Sequence, residues 1–224
     1  MKYYILFLTA FLSFNSQAQE VIEKSIGDFT ELKVYDLIQV ELIKSDKNAV
    51  AISGNNSSKV ETLNKNGTLK VRMSIDNSFN GEKTKVKVYY KALEVIDVNE
   101  GASVTSGDTI EQFEIDLRAQ EGGTIEIPVK VSYAVIKSIT GGEITTSGQA
   151  KTEQITIYTG GIYNGEDLES ETVNVSIHAA GEAHVRASKL MDIVIRAGGD
   201  VYVYGNPETV NENKVLGGRI LRVD

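Results

Sequence analysis

Apolar and polar positions alternate along most of this chain, and the alternation restarts at a fixed interval. Gly-Gly pairs stand at Gly122-Gly123, Gly141-Gly142, Gly160-Gly161, Gly198-Gly199 and Gly217-Gly218, with first glycines 19, 19, 38 and 19 residues apart. Counting from the second residue of each pair, with Ala102 and Gly181 as degenerate members, brings other columns into line. Six positions earlier stand Ile96, Leu117, Ile136, Ile155, Val175 and Ile193, and four earlier Val98, Ala119, Ser138, Ile157, Ile177 and Ile195. Two positions later stand Val104, Ile125, Ile144, Tyr163, Ala183, Val201 and Ile220. The columns between are mixed, as in Asp97, Arg118, Lys137, Thr156 and Ser176.

A period of two inside each half and of nineteen between copies predicts strand, turn, strand, turn. The fold class is therefore all-β: a parallel β-solenoid with two principal strands per coil, joined at the Gly-Gly corner. Like residues stack ~4.8 Å apart and the apolar columns become ladders inside the tube. Glycine is needed at a corner where φ is positive, or where a Cβ would collide with a neighbouring coil. A glycine-rich antiparallel meander is the alternative, but its turns recur about every 8–12 residues. One coil gains a residue at Ala179-Ala180-Gly181, so a small bulge there is expected to relax the turn and admit a Cβ.

Residues 19–97 carry alternating runs without the repeat, among them "FTELKVYDLIQVELI" and "KVKVYYKALEVIDV". Turn clusters separate these runs, and "KNGT" reads as a hairpin turn. Only "SSKVETLNK" hints at a short helix. "LEVIDVNEG" leads into the coils of 98–224 without a linker, so 19–224 reads as one domain with N-terminal strands capping the solenoid.

Residues 1–18 read as a signal peptide, with Lys2 at the start, an apolar Tyr3–Phe14 and the small-residue site Ser16-Gln17-Ala18. The apolar run is shorter than the ~20 residues that span a bilayer. The chain has no cysteine, which closes both cysteine lipidation and disulfide stapling. Its formal charge of −8 disfavours nucleic acid and anionic membranes as partners.

The order of motifs resembles the DUF2807 family, the putative auto-transporter adhesin head GIN domain. The likeness rests on Phe29–Leu42 as the opening strands and Gly67–Val71 as a following strand. It continues through the corners "EGGTI", "TGGEI" and "AGGDV" to the terminus "VYVYGNPETV". Several corners are Gly-Gly where the family often has Ser-Gly. The resemblance implies an exported all-β repeat protein and brings no catalytic residues to transfer. No transmembrane barrel sequence follows Gly218, so self-anchoring is not expected.

Candidate chemistry is sparse. A polysaccharide hydrolase or lyase on an exterior face needs paired carboxylates, and Glu143, Glu182 and Asp200 share one column, interrupted by Ile162. A solvated corner that keeps like charges off the core is the preferred account of them. His178 and His184 flank Gly181 but bring no third metal ligand, and no GxSxG or phosphate loop occurs. No catalytic, cofactor or metal residues are therefore assigned. The remaining surface candidate is a pair of columns beside the corner: Tyr158, His178 and Arg196, and Asn164, His184 and Tyr202. They suit contact with an envelope glycan or protein, or serve only as cross-strand ladders. The function read from the sequence is an exported, non-enzymatic structural or binding protein of the cell envelope, periplasmic or released. An oligomer is possible, and a polysaccharide-active enzyme is the alternative.

Overall fold

The computed structural model describes residues 21–223, so the signal-peptide reading of 1–18 lies outside the described residues. Among the described residues, seventeen strands form one continuous hydrogen-bonded system. They are β1 Ile22–Ser25, β2 Glu31–Val34, β3 Gln39–Lys44, β4 Ala49–Gly54, β5 Val60–Lys65, β6 Thr68–Met73, β7 Thr84–Tyr90, β8 Val95–Val98 and β9 Ser103–Ser106. They continue as β10 Ile110–Gln120, β11 Thr124–Ile139, β12 Glu143–Tyr158, β13 Ile162–Ile177, β14 Glu182–Ala197, β15 Asp200–Tyr204, β16 Thr209–Leu216 and β17 Arg219–Arg222.

From β10 onward the stacking is parallel. Ile125 pairs with Ile144 and Ile136 with Ile155, an offset of 19 residues, so the columns aligned in the sequence are real ladders. Ile144, Ile155, Ile157, Val175, Ile177, Ile193, Ile195 and Val201 are all buried. Each such aliphatic side chain contributes roughly 1.5–3 kcal/mol on burial.

The coil differs from the expected two strands in one respect. Each of β11 to β14 is a single strand of 16 residues between successive corners. In β11 the buried residues are Ile125, Ile127, Val129 and Val131, then Ala134, Ile136 and Ser138. The inward parity flips across Ser132-Tyr133, so the chain bends there and returns along a second face. The second turn is thus a bend with no sharp corner. Hydrogen bonding resumes in register on both sides of one skipped residue, Ser132 opposite Lys151, so no glycine is required.

The Gly-Gly corners solve two separate problems. At Ile139–Gly142 both central residues have positive φ, Thr140 at 50° and Gly141 at 69°, and the Gly142 N–H donates to Ile139 O at 2.9 Å. This is the signature of a primed turn. Gly142 itself has no positive φ, but a Cβ there would lie 2.2 Å from the carbonyl oxygen of Ala119 in the preceding coil. The first glycine serves conformation and the second serves close approach.

Ala180 does not escape this constraint. Its φ is 53°, so the expected relaxation of that turn is incorrect. The added residue is absorbed within β13, where the pairing with β12 shifts between Thr145 and Ser147. A bulge in mid-strand disturbs one ladder step, whereas a bulge at the corner would break the approach of glycine to the coil beneath.

The N-terminal region combines coil and cap. β2 and β3 lie parallel to β6 and β7 on one side and to β8 and β9 on the other. The first coil in sequence is therefore inserted between later ones. Its corner carries Asp36 and Leu37 at φ 61° and 63°. The buried Asp36 carboxylate accepts the N–H groups of Met73 at 3.0 Å and Phe79 at 2.9 Å, which pins the longer corner of the neighbouring coil. Beyond that coil the stack is closed by antiparallel pairs, β1 with β4, β4 with β7 and β5 with β6. The "KNGT" hairpin forms as expected, with Asn66 and Gly67 at φ 52° and 79°. The expected helix in "SSKVETLNK" does not form. Ser57–Lys59 makes a single 3₁₀ turn and Val60–Lys65 is strand β5, because pairing with β6 overrides the local preference.

At the other end some interior columns turn charged while others stay apolar, as with Val201 followed by Ile220. Ile193 is followed by Glu212 and Ile195 by Lys214.

The corner analysis predicts an order of stabilities. Gly160 has φ 72° and open space around a built Cβ, so Gly160→Val costs on the order of 1–3 kcal/mol from backbone strain alone. Gly161→Ala costs more than Gly160→Ala, because its Cβ would sit 2.6 Å from Ser138 O. Thr159, a β-branched residue at φ 50°, is strained already, and Thr159→Asn raises stability by up to about 1 kcal/mol. Thermal melts of the four variants check the order, and Gly161→Ala melting above Gly160→Ala contradicts it.

Candidate functional site

The surface candidates read from the sequence assemble as two ladders beside the corner. Asn164 pairs with His184 and His184 with Tyr202 in register. The His184 ring stacks on Tyr202 at 4.4 Å, its Nε2 meets Glu182 Oε1 at 2.6 Å and its Nδ1 meets the Tyr204 hydroxyl at 3.1 Å. Asn164 Nδ2 donates to Glu143 Oε1 at 2.9 Å. Across the corner, Tyr158 stacks on His178 at 4.3 Å, and Arg196 is exposed in the next coil. In each ladder one ring stacks face to face on the next. Such stacked and hydrogen-bonded cross-strand neighbours stabilise the packing of coil on coil.

The acidic column is equally local. Glu143, Ile162, Glu182, Asp200 and Arg219 succeed one another in register. Arg219 Nε donates to Asp200 Oδ1 at 2.9 Å, and this bond holds the Asp200 carboxyl below its ordinary range. Among the described residues, no group of three His, Asp or Glu side chains is arranged to hold a metal ion.

A larger site lies at the opposite side of the coil, along the bend. A groove of about 910 Å³ runs along the solenoid axis, crossing successive coils. Its floor is the column Gln112, Val131, Ala150, Ser170 and Ala187, where small side chains let the surface sink inward. One wall is Glu111, Lys130, Gln149, Glu169 and Arg186, and the other Ser132, Lys151, Glu171 and Ser188. The walls hold three carboxylates and three cations, so their formal charges cancel. Lys130 pairs with Glu111 at 2.7 Å, and Lys189 pairs with Glu171 at 2.6 Å. Immediately after Gln112 and Ser132 come Phe113 and Tyr133, 67% and 45% exposed, with ring centroids 5.6 Å apart. Exposed aromatic rings beside a polar groove are the feature that sequence reasoning missed. The column alignment was anchored on the glycine corner, and the bend carries no residue signature of its own.

Beneath the floor lies a buried polar cluster. Glu153 is fully buried, and accepts hydrogen bonds from Ser170 Oγ at 2.5 Å and from the Tyr163 hydroxyl at 2.5 Å. The Tyr163 hydroxyl also contacts Thr146 Oγ1 at 2.7 Å. The Tyr163 ring lies against Gly165, where a Cβ would fall 2.5 Å from it, so the glycine makes room for the ring. Burial pushes the Glu153 carboxyl up to about 7, against the two hydrogen bonds that favour its ionised form. The groove carboxylate Glu171 is held low by Lys189 instead, the opposite of what a general acid needs.

Residues 28–207 match a protein family described as "Putative auto-transporter adhesin, head GIN domain", DUF2807. The chain belongs to this family. No curated protein matches it. A crystal structure described as a putative adhesin from Bacteroides fragilis superposes with a TM-score of 0.84 at 17% identity, over 93% of this chain and 98% of that one. A putative adhesin from Parabacteroides distasonis gives 0.74 at 18% identity, over 92% and 97%. A putative lipid binding protein from the same species gives 0.72 at 18%, over 93% and 98%. At these identities the likeness is one of fold.

The buried carboxyl sets a pH dependence. Its value rises from the ordinary 4.5 to about 7 on folding, so the native state keeps a proton that the unfolded chain releases. The stability this group contributes is full below pH 4.5 and is lost as pH rises through about 7. The span is worth on the order of 3 kcal/mol. Glu153→Gln flattens the slope over that window and raises stability at pH 8. Denaturant titrations from pH 4 to 8 check both, and a parent slope that survives the substitution contradicts the assignment.

Proposed function

We propose that this chain is an exported, non-enzymatic binding protein of the cell envelope that holds an extended neutral glycan in the groove along the bend. One observation carries the reading: an axial groove of about 910 Å³ whose wall charges cancel, with an exposed aromatic pair beside it. A charged polymer of either sign would meet groups of its own sign along the walls as well as groups of the opposite sign. A neutral polyol meets amides, hydroxyls and ions as hydrogen-bond partners, and aromatic faces for its C–H surfaces. The adhesin names carried by the family and by its structural neighbours support a binding role, and the resemblance supports export to the periplasm or beyond.

The alternative, a polysaccharide-active enzyme, needs a carboxylic acid facing the ligand. The carboxyl raised to about 7 is Glu153, which is sealed under Ser170 and away from solvent.

The test is a glycan array with uncharged and acidic polymers side by side, followed by titration of the best binder. The expected result is binding to an uncharged glycan that weakens at least about tenfold in the Phe113→Ala/Tyr133→Ala double variant, with an unchanged melt. Binding that ignores this variant but falls with Tyr158→Ala or Tyr202→Ala moves the site to the corner ladders. Turnover of a bound glycan, abolished by substitution of Glu111, Glu169 or Glu171 in the groove walls, overturns the non-enzymatic reading. Fractionation of the native cells checks the location.

A further inference from the structure

We propose that the free edge of β16 is a self-pairing surface, which joins two copies of this chain about a two-fold axis. Among the described residues β16 is hydrogen-bonded along one edge, to β14. Its other edge presents a row of backbone donors and acceptors, and nearly all of its side chains are exposed, with Val215 at 64% and Leu216 at 71%. An edge of this kind is a template for another strand.

The side chains of β16 select the partner. Its inward positions, continuing the columns of Met191, Ile193 and Ile195, are Val210, Glu212 and Lys214. In an antiparallel pair, residues directly opposite one another share a face. A two-fold axis at Asn213 sets Glu212 opposite Lys214 of the second copy, and Lys214 opposite its Glu212. The same register sets Val210 opposite Leu216. Both ion pairs and both apolar pairs are satisfied by a second identical strand.

Other symmetric registers fail. An axis at Glu212 opposes two carboxylates, and an axis at Lys214 opposes two ammonium groups. An axis at Asn211 opposes Val210 to Glu212. An axis between residues would turn the inward face of one copy outward. One register is selected by charge, and the contact closes on itself, so it yields a dimer and not a fibre. The overall charge of −8 opposes non-specific association, so the local complementarity has to carry the contact.

The test is sedimentation velocity on the purified protein over a range of concentrations. The parent is expected to dimerise reversibly, and more weakly at high salt. Glu212→Lys alone and Lys214→Glu alone each place like charges opposite one another, and are expected to weaken the dimer by about tenfold or more. The Glu212→Lys/Lys214→Glu double variant restores opposite charges in the same register and is expected to return to the parent affinity. A parent that stays monomeric throughout overturns the proposal. So does a dimer that tolerates either single swap, or a folded double variant that does not recover. Should a single swap fail to fold, hydrogen exchange on the unaltered protein decides. Protection of the Val210–Leu216 amides that rises with concentration supports the pairing, and protection independent of concentration overturns it.

Discussion

The structure depends on how closely one coil can sit on the next. Parallel hydrogen bonding sets coils about 4.8 Å apart, and the tightest point is the corner. There the backbone of Gly142 rests on the carbonyl of Ala119, and that of Gly161 on the carbonyl of Ser138. Any Cβ would pry the coils apart locally and shear the ladders on both faces. Once approach is fixed, the register follows, and each residue must tolerate a near-equivalent above and below it. Apolar columns tolerate this and form the core. Ser138 shows the cost of a polar member: its hydroxyl has to bond Gly142 O and the Ile162 N–H to be buried there. Several charged neighbours in a column pair by opposite sign, as in Glu111 with Lys130, Glu171 with Lys189, and Asp200 with Arg219, whereas Glu182 and Asp200 meet with the same sign.

The same register makes both ends a problem, and the two are handled differently. At the N-terminal end β4 and β5 run antiparallel to the stack, and β1 pairs antiparallel with β4 to close it. This requires β2 and β3 to be bracketed by strands that come later in the chain, with Asp36 pinning the irregular corner beside them. At the C-terminal end two interior columns stop on Glu212 and Lys214. Inward charges prevent indefinite stacking of copies, because most registers bring like charges together. The charge order that rejects those registers leaves one acceptable.

The repeat was legible because glycine reports backbone constraint directly, and aliphatic columns report burial. Ile155, Ile157, Ile193 and Ile195 could be placed from spacing alone. The bend was not legible, since it demands only that two neighbours such as Ser132 and Tyr133 face outward, which many residue pairs allow. Ala180 misled because alanine in place of glycine suggested relief, yet tertiary stacking holds it at φ 53°. The Asn164, His184 and Tyr202 column was placed in register correctly. What the spacing could not show is that the His184 ring would stack on Tyr202. The insertion of β2 and β3 between later coils lay out of reach, because pairing order among non-repeating strands leaves no periodic trace.

The irregular features of the solenoid gather in one place, and that bears on function. The bulge in β13, the glycine that accommodates the Tyr163 ring, and the buried Glu153 all belong to adjacent coils. A purely structural coil would have put another aliphatic residue at Tyr163, as its column does at Ile125 and Ile144. Keeping a tyrosine there obliges the chain to bury Glu153 and Thr146 as partners and to leave position 165 without a side chain. Burying a carboxyl above its ordinary ionisation range costs stability at neutral pH, and the two partner hydrogen bonds offset only part of that cost. The hydroxyl of Ser170 joins this cluster to the floor of the groove. Local rules of a repeat tend to be broken where something other than stacking is being served. The break lies under the groove and not under the corner ladders, which makes the bend the better place to look for a ligand.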